Sequence, residues 1–107
     1  STDVRSLLTF AQKEGILAQN LIEAHIIKEG KMGLYLTFDD RIIFPIHDHV
    51  GHTVGFGGRV FKPGDERAKY YNSHEHSFFN KGTLLFGLDK AKKSIAKEAA
   101  AFLVEGY

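Results

Sequence analysis

Residues 41–60, RIIFPIHDHVGHTVGFGGRV, decide the fold. They read as two apolar β-strands on either side of a polar turn, the second closing on Gly55-Phe56-Gly57-Gly58-Arg59. Proline has no N–H to give a ladder, so Pro45 places the first strand at a sheet edge or at a bulge. The glycines of the second strand allow close backbone approach and positive φ, a way of aiming Arg59 at a negatively charged ligand.

On the N-terminal side the period is first helical. Ser1, Thr2 or Asp3 supplies a capping oxygen, and Val4, Leu7, Leu8 and Ala11 form one apolar stripe ending at Gly15. Ala18, Leu21, Ile22 and His25 repeat the spacing and predict a second short helix with His25 at the edge of the core. Then the period becomes two. Ile26-Ile27-Lys28-Glu29, a turn over Gly30-Lys31-Met32-Gly33, and Leu34-Tyr35-Leu36-Thr37-Phe38 predict a hairpin, and Asp39-Asp40 turns the chain into the strand that begins at Arg41.

On the C-terminal side, residues 62–67 form a polar loop, and residues 69–82 mix aromatic and polar groups without a period, as ordered functional loops do. Asp89 is placed to cap a helix with Ala91, Ile95 and Ala99 on one side and a solvated face of Lys90, Lys93 and Lys97 on the other. Ala101-Phe102-Leu103-Val104 predicts a buried strand, and Glu105 at its carboxyl end stands where open α/β sheets place their sites. The expected architecture is α+β: N-terminal helices, an antiparallel meander of short strands, then a helix and the first strand of an α/β unit. The division expected is 1–88 and 89–107, the second part incomplete. A start without methionine and a stop straight after an apolar run predict a piece of a larger protein.

Composition narrows the classes. With 107 residues, 43 % hydrophobic and 25 % charged, the chain suits one soluble domain with a modest core. No apolar run reaches the length of a membrane span, and no secretion signal is visible. The absence of cysteine excludes disulfides and thiolate zinc sites and fits a reducing compartment. A net charge of +1 means that any nucleic-acid binding must come from clustered cations.

Of the motifs, a dinucleotide fingerprint fails because Val60 stands where the last glycine is needed, and no phosphate-binding GxxxxGK[ST] occurs. The clusters His47-Asp48-His49 with His52, and His74-Glu75-His76, have spacings that can hold a divalent metal. The cations make the larger pattern. Arg41, Arg59, Lys69, Asn72 and Lys81 would line one phosphate-binding groove if the irregular loop folds back over the hairpin. Tyr70, Tyr71, Phe78 and Phe79 interleave with them as stacking rings do.

Arg41-Ile42-Ile43-Phe44-Pro45-Ile46-His47-Asp48, Gly55-Phe56-Gly57-Gly58-Arg59 and Lys69-Tyr70-Tyr71-Asn72-Ser73 resemble the catalytic core of bacterial DnaG-type DNA primases. Phe79-Asn80-Lys81-Gly82, Leu85-Phe86-Gly87-Leu88 and Val104-Glu105-Gly106-Tyr107 continue the match in order. The resemblance implies a DNA-dependent RNA polymerase making short primers from nucleoside triphosphates on single-stranded DNA, in the bacterial cytoplasm, for the replicative helicase. It implies template or nucleotide contacts for Arg41, Arg59, Lys69, Asn72 and Lys81. Glu105 matches the acidic residue of the first Toprim motif, a catalytic group and ligand of Mg²⁺ or Mn²⁺. Residues 89–107 would then open the Toprim subdomain, whose other carboxylates lie beyond Tyr107, so that this piece alone is inactive. Zinc and the helicase belong to domains not present here. His47 stands where the family usually has a cation and His74 where proline is common, so the resemblance gives these histidines no metal role. The alternative is a non-catalytic β-rich domain that uses its histidine clusters for a metal or a protein partner.

Overall fold

A computed structural model of the chain describes residues 3–106. The chain forms two compact units, one made of the residues up to Ile43 with Gly58–Tyr71, the other of Phe44–Gly57 and the residues from Asn72 onward.

The first unit begins with helices α1 (Val4–Lys13) and α2 (Ala18–Glu23). Asp3 caps α1, its Oδ1 accepting from Arg5 N at 2.9 Å, an arrangement that contributes about 1 kcal/mol. Ser1 and Thr2, the other candidate caps, lie outside the described residues. Each helix stops in the same way. After α1, Ile16 N donates to Ala11 O (2.8 Å) and Gly15 N to Gln12 O (3.1 Å), with Gly15 at φ 74. After α2, Ile26 N reaches Leu21 O and His25 N reaches Ile22 O, both at 2.9 Å. Here the left-handed residue is His25, at φ 56. His25 is therefore an exposed helix terminator and not a core-edge side chain, because the helix needs a left-handed residue to turn back its last carbonyls and no glycine is there to supply it.

Strands β1 (Ile27–Gly30) and β2 (Gly33–Leu36) pair antiparallel around Lys31-Met32, with Ile27 facing Leu36 and Lys28 facing Tyr35. Alternation sends Leu34 and Leu36 toward the helices and leaves Tyr35 half-exposed on the other side. Ala11, Leu21 and Ile27 are the buried centre, with Leu7, Leu8, Ile22 and Ile26 packed around them.

Strands β3 (Arg41–His47), β4 (Thr53–Val60) and β5 (Tyr70–Asn72) form a three-stranded sheet in that order. Pro45 lies on β3, an edge strand, as its missing N–H requires.

In the second unit Phe79 is buried beneath Gly55, where an added Cβ would sit 3.1 Å from the ring, so this glycine marks a close approach of side chain to strand. Helix α3 (Leu88–Glu98) starts after Gly87, at φ 79. Asp89 lies inside the first turn and is not the cap. Its carboxylate turns inward, 3.8 Å from His47 Nδ1 and 3.6 Å from Lys90 Nζ. The run 101–104 forms no strand here. A strand exists through its ladder, none of the described residues pairs with this run, and Phe102, Leu103 and Val104 stand exposed. Among the described residues no helix is long and apolar enough to cross a membrane.

Candidate nucleic-acid interface

The short strand β5 sets the geometry. Val60 N donates to Lys69 O (3.1 Å) and Ser73 N to Phe56 O (2.8 Å), so β5 runs antiparallel to β4 with Arg59 opposite Tyr70 and Gly58 opposite Tyr71. Successive side chains of a strand point to opposite faces, which separates the two tyrosines.

On the Tyr70 face, the Arg59 guanidinium lies 5.6 Å from the Tyr70 ring centroid and Lys69 Nζ lies 6.0 Å from it. All three side chains belong to exposed residues. Cation–π contacts at such sites are worth about 0.5–1 kcal/mol each, enough to bias the cations onto the ring without using up their hydrogen-bond donors. The result is a flat aromatic surface rimmed by two open cations.

On the Tyr71 face the cations are already engaged. Lys28 Nζ donates to Tyr71 Oη at 3.0 Å and lies 5.4 Å from the ring centroid, while the Arg41 guanidinium lies at 5.9 Å. Arg41 Nη1 also donates to Ala68 O (2.8 Å) and Gly58 O (3.4 Å), fastening the loop before β5. Phe38 meets Tyr71 edge-on at 5.5 Å. Gly58 makes this packing possible, since a Cβ there would lie 2.7 Å from the Phe38 ring and 3.0 Å from Arg41 Cδ. Arg41 therefore belongs with Tyr71, and the structure does not bring it to Arg59 and Lys69.

The loop that delivers Lys69 has an anchor that sequence reading missed. Arg67 donates to both oxygens of Asp65 (Nε–Oδ1 2.9 Å, Nη2–Oδ2 2.6 Å) and, through Nη1, to Asp39 O at 3.1 Å. The Arg67 side-chain hydrogen bonds hold the Asp65 carboxyl down at about 2, and the same bonds raise Arg67. Lys62 pairs with Asp40 alongside. An Asp-x-Arg spacing inside a polar loop was the available signal.

The second unit holds Asn72, Lys81 and Glu105. Asn72 ends β5, half-buried. Behind it Ser73 is locked to Phe56, its Oγ accepting from Phe56 N (2.8 Å) and donating to Phe56 O (3.1 Å). His76 Nε2 meets Val54 O at 2.9 Å and Phe79 fills the space under Gly55, so the irregular loop is pinned to the hairpin. Lys81 opens the 3₁₀ turn Lys81–Thr83, its backbone N–H held by Glu75 Oε1 at 2.8 Å and its side chain exposed. Glu105 lies exposed in a bend.

The histidines act separately. Asp48 Oδ1 accepts from the N–H groups of Val50, Gly51 and His52 (3.0, 2.9 and 2.9 Å), and its Oδ2 lies 3.2 Å from His52 Nδ1. Burial pushes the Asp48 carboxyl up, but these bonds outweigh it and bring the group to about 2. His47 faces Asp89, and His76 faces a backbone carbonyl. Among the described residues no three His, Asp or Glu side chains converge on a point that could hold a metal ion. Neither the histidine clusters nor Glu105 alone therefore fits a metal site.

With this geometry in place, three comparisons agree. A family model described as "DNA primase catalytic core, N-terminal domain" matches residues 1–92. The chain is 43 % identical over 103 residues to a DNA primase of Deinococcus radiodurans, covering 94 % of this chain and 18 % of that protein. It superposes with a TM-score of 0.88 and 34 % identity on an Aquifex aeolicus primase (zinc-binding and RNA polymerase domains), covering 100 % of this chain and 26 % of that one. It also resembles a DnaG primase catalytic domain bound to ssDNA, with a TM-score of 0.65 and 36 % identity over 81 % of this chain and 29 % of that one. The chain thus spans less than a fifth of the curated relative.

Proposed function

This chain belongs to the family of DNA primase catalytic-core N-terminal domains, and from that premise we propose that it grips single-stranded nucleic acid for a primase. The observation that carries this reading is Tyr70 rimmed by Arg59 and Lys69. A base or ribose stacks on an exposed ring, while the two cations, not committed to protein acceptors, meet the flanking phosphates. In the second unit, Asn72 and Lys81 offer nucleic acid a directional hydrogen bond and a charge of their own. Arg41 contributes indirectly, by holding the loop that presents Lys69.

In the whole protein the activity is DNA-templated synthesis of short RNA primers from nucleoside triphosphates, in the bacterial cytoplasm and beside the replicative helicase. Glu105 is one carboxylate of a Mg²⁺ or Mn²⁺ site completed by residues elsewhere in the protein, and the chain by itself makes no primers. Support for the nucleic-acid role comes from the relative bound to ssDNA.

Fluorescence anisotropy with a labelled single-stranded oligonucleotide across a salt series tests the reading. Affinity should fall steeply with salt, and Arg59→Ala or Lys81→Ala should each flatten the log–log slope by about 0.7, the contribution of one phosphate on a single strand. A salt-independent affinity, or slopes unmoved by both changes, would overturn it.

A further inference from the structure

A cavity of about 630 Å³ lies in the first unit, walled by the β1–β2 hairpin, the start of α1 and the loop after β4. Its size is that of a small-molecule site. Lys28, Tyr35, Thr37, Asp39, Arg67 and Tyr71 line it, on the Tyr71 side of β5 and not the Tyr70 side.

Two of these residues carry unmet chemistry. Thr37 Oγ1 and Asp39 Oδ1 are buried oxygens without a hydrogen-bond partner among the described residues. Buried polar atoms in native proteins are nearly always paired, and an orphaned carboxylate oxygen asks for a donor that these residues do not provide. Lys28 is the complementary case. Its ammonium bonds a neutral phenol, and among the described residues it makes no ion pair. Arg67 adds positive charge nearby, although its donors are committed to Asp65 and Asp39 O. Tyr35 rests one edge against Gly30, where a Cβ would lie 3.0 Å from Cε1, and is half-exposed.

The occupant must bring a hydrogen-bond donor to Asp39 and Thr37, an anion to Lys28, and a body large enough to fill the space lined by these residues. An inorganic anion leaves Asp39 unmet. A simple amine meets the field of Lys28 and Arg67. An amino acid satisfies both ends but fills little of the volume. We propose that this cavity binds a nucleoside monophosphate whose base carries an exocyclic amino group, with the phosphate at Lys28 and the amino group at Asp39 and Thr37. This second site goes beyond the single-strand surface at Tyr70 and does not rest on it.

Amide-resolved NMR titration of the protein with AMP, purine riboside 5′-monophosphate (adenylate without its amino group) and inorganic phosphate tests the assignment. AMP should shift the amides of Lys28, Tyr35, Thr37 and Asp39 and bind about tenfold tighter than either of the others, the loss expected for one charged hydrogen bond. Lys28→Met should weaken AMP about tenfold, and Asp39→Asn should erase the preference for the amino group. Thr37→Val removes the orphaned hydroxyl, so it should weaken AMP while the melting temperature holds or rises; this variant remains informative if Asp39→Asn fails to fold. Arg59→Ala should leave AMP binding unchanged. Absence of shifts at millimolar AMP, equal binding of phosphate, or shifts confined to Tyr70 and Arg59 would each overturn the proposal, the last by returning the nucleotide to the single-strand surface.

Discussion

Tyr70 and Tyr71 are neighbours in the chain, and each has two cations near its ring, yet the two sites have opposite characters. Around Tyr71 the cations are hydrogen-bonded to the protein, Lys28 to the phenol and Arg41 to two carbonyls, with Phe38 closing the side. Around Tyr70, the side chains of Arg59 and Lys69 make no hydrogen bond or ion pair among the described residues. Arg41 with Phe38 therefore serves as a structural clamp on one face of β5, while Arg59 and Lys69 keep their side-chain donors available on the other. Hydrogen-bond commitment separates the two; residue type and charge do not.

The largest effect should come from removing the space on which the clamp depends. Gly58→Val drives a side chain into Phe38 and Arg41, and overpacking of this kind costs about 1–3 kcal/mol. Urea unfolding reads this directly, and an unchanged midpoint would mean that the Tyr71 face is not a packed clamp.

Next comes the pair Tyr70→Ala and Tyr71→Ala. The first should leave stability within about 0.5 kcal/mol while weakening single-strand binding by about 1–3 kcal/mol. The second should cost about 2 kcal/mol of stability, part of the loss seen for fully buried rings. Equal stability losses from the two would erase the comparison.

The smallest effect is an acid one. The Asp65 carboxyl has a folded value of about 2 against 3.8 in the free group, so its contribution is fully present above about pH 4 and is lost as pH falls through 2. NMR titration over this window should show the loop loosening and Lys69 leaving Tyr70 while the Phe38–Tyr71 contact persists. An Asp65 midpoint near the free value would show that Arg67 does not hold the loop.

Much of the fold was legible. Hydrophobic spacing located α1 and both hairpins, and Pro45 marked an edge strand. The candidate cations were identifiable by residue type, but their grouping was not. A strand as short as Tyr70–Asn72 is too brief to display a period of two, so no pattern assigns Arg41 and Arg59 to different tyrosines. Asp89 has the chemistry of a cap, but Gly87 supplies the turn first, and the carboxylate faces His47 instead. His25 continues a helical stripe in sequence, yet takes the left-handed position that ends α2. At 101–104, apolar composition marks a strand that needs a neighbour to exist.

Pro45 has one further consequence. An exposed outer strand is normally a row of donors and acceptors on which another polypeptide can grow, and it is the usual starting point of self-association through sheets. A ring nitrogen in the middle of β3 breaks that row. Replacing it would leave the isolated molecule almost unchanged and be felt instead in crowded solution, where molecules of this chain meet edge to edge. The residue thus protects the population of molecules more than the single fold.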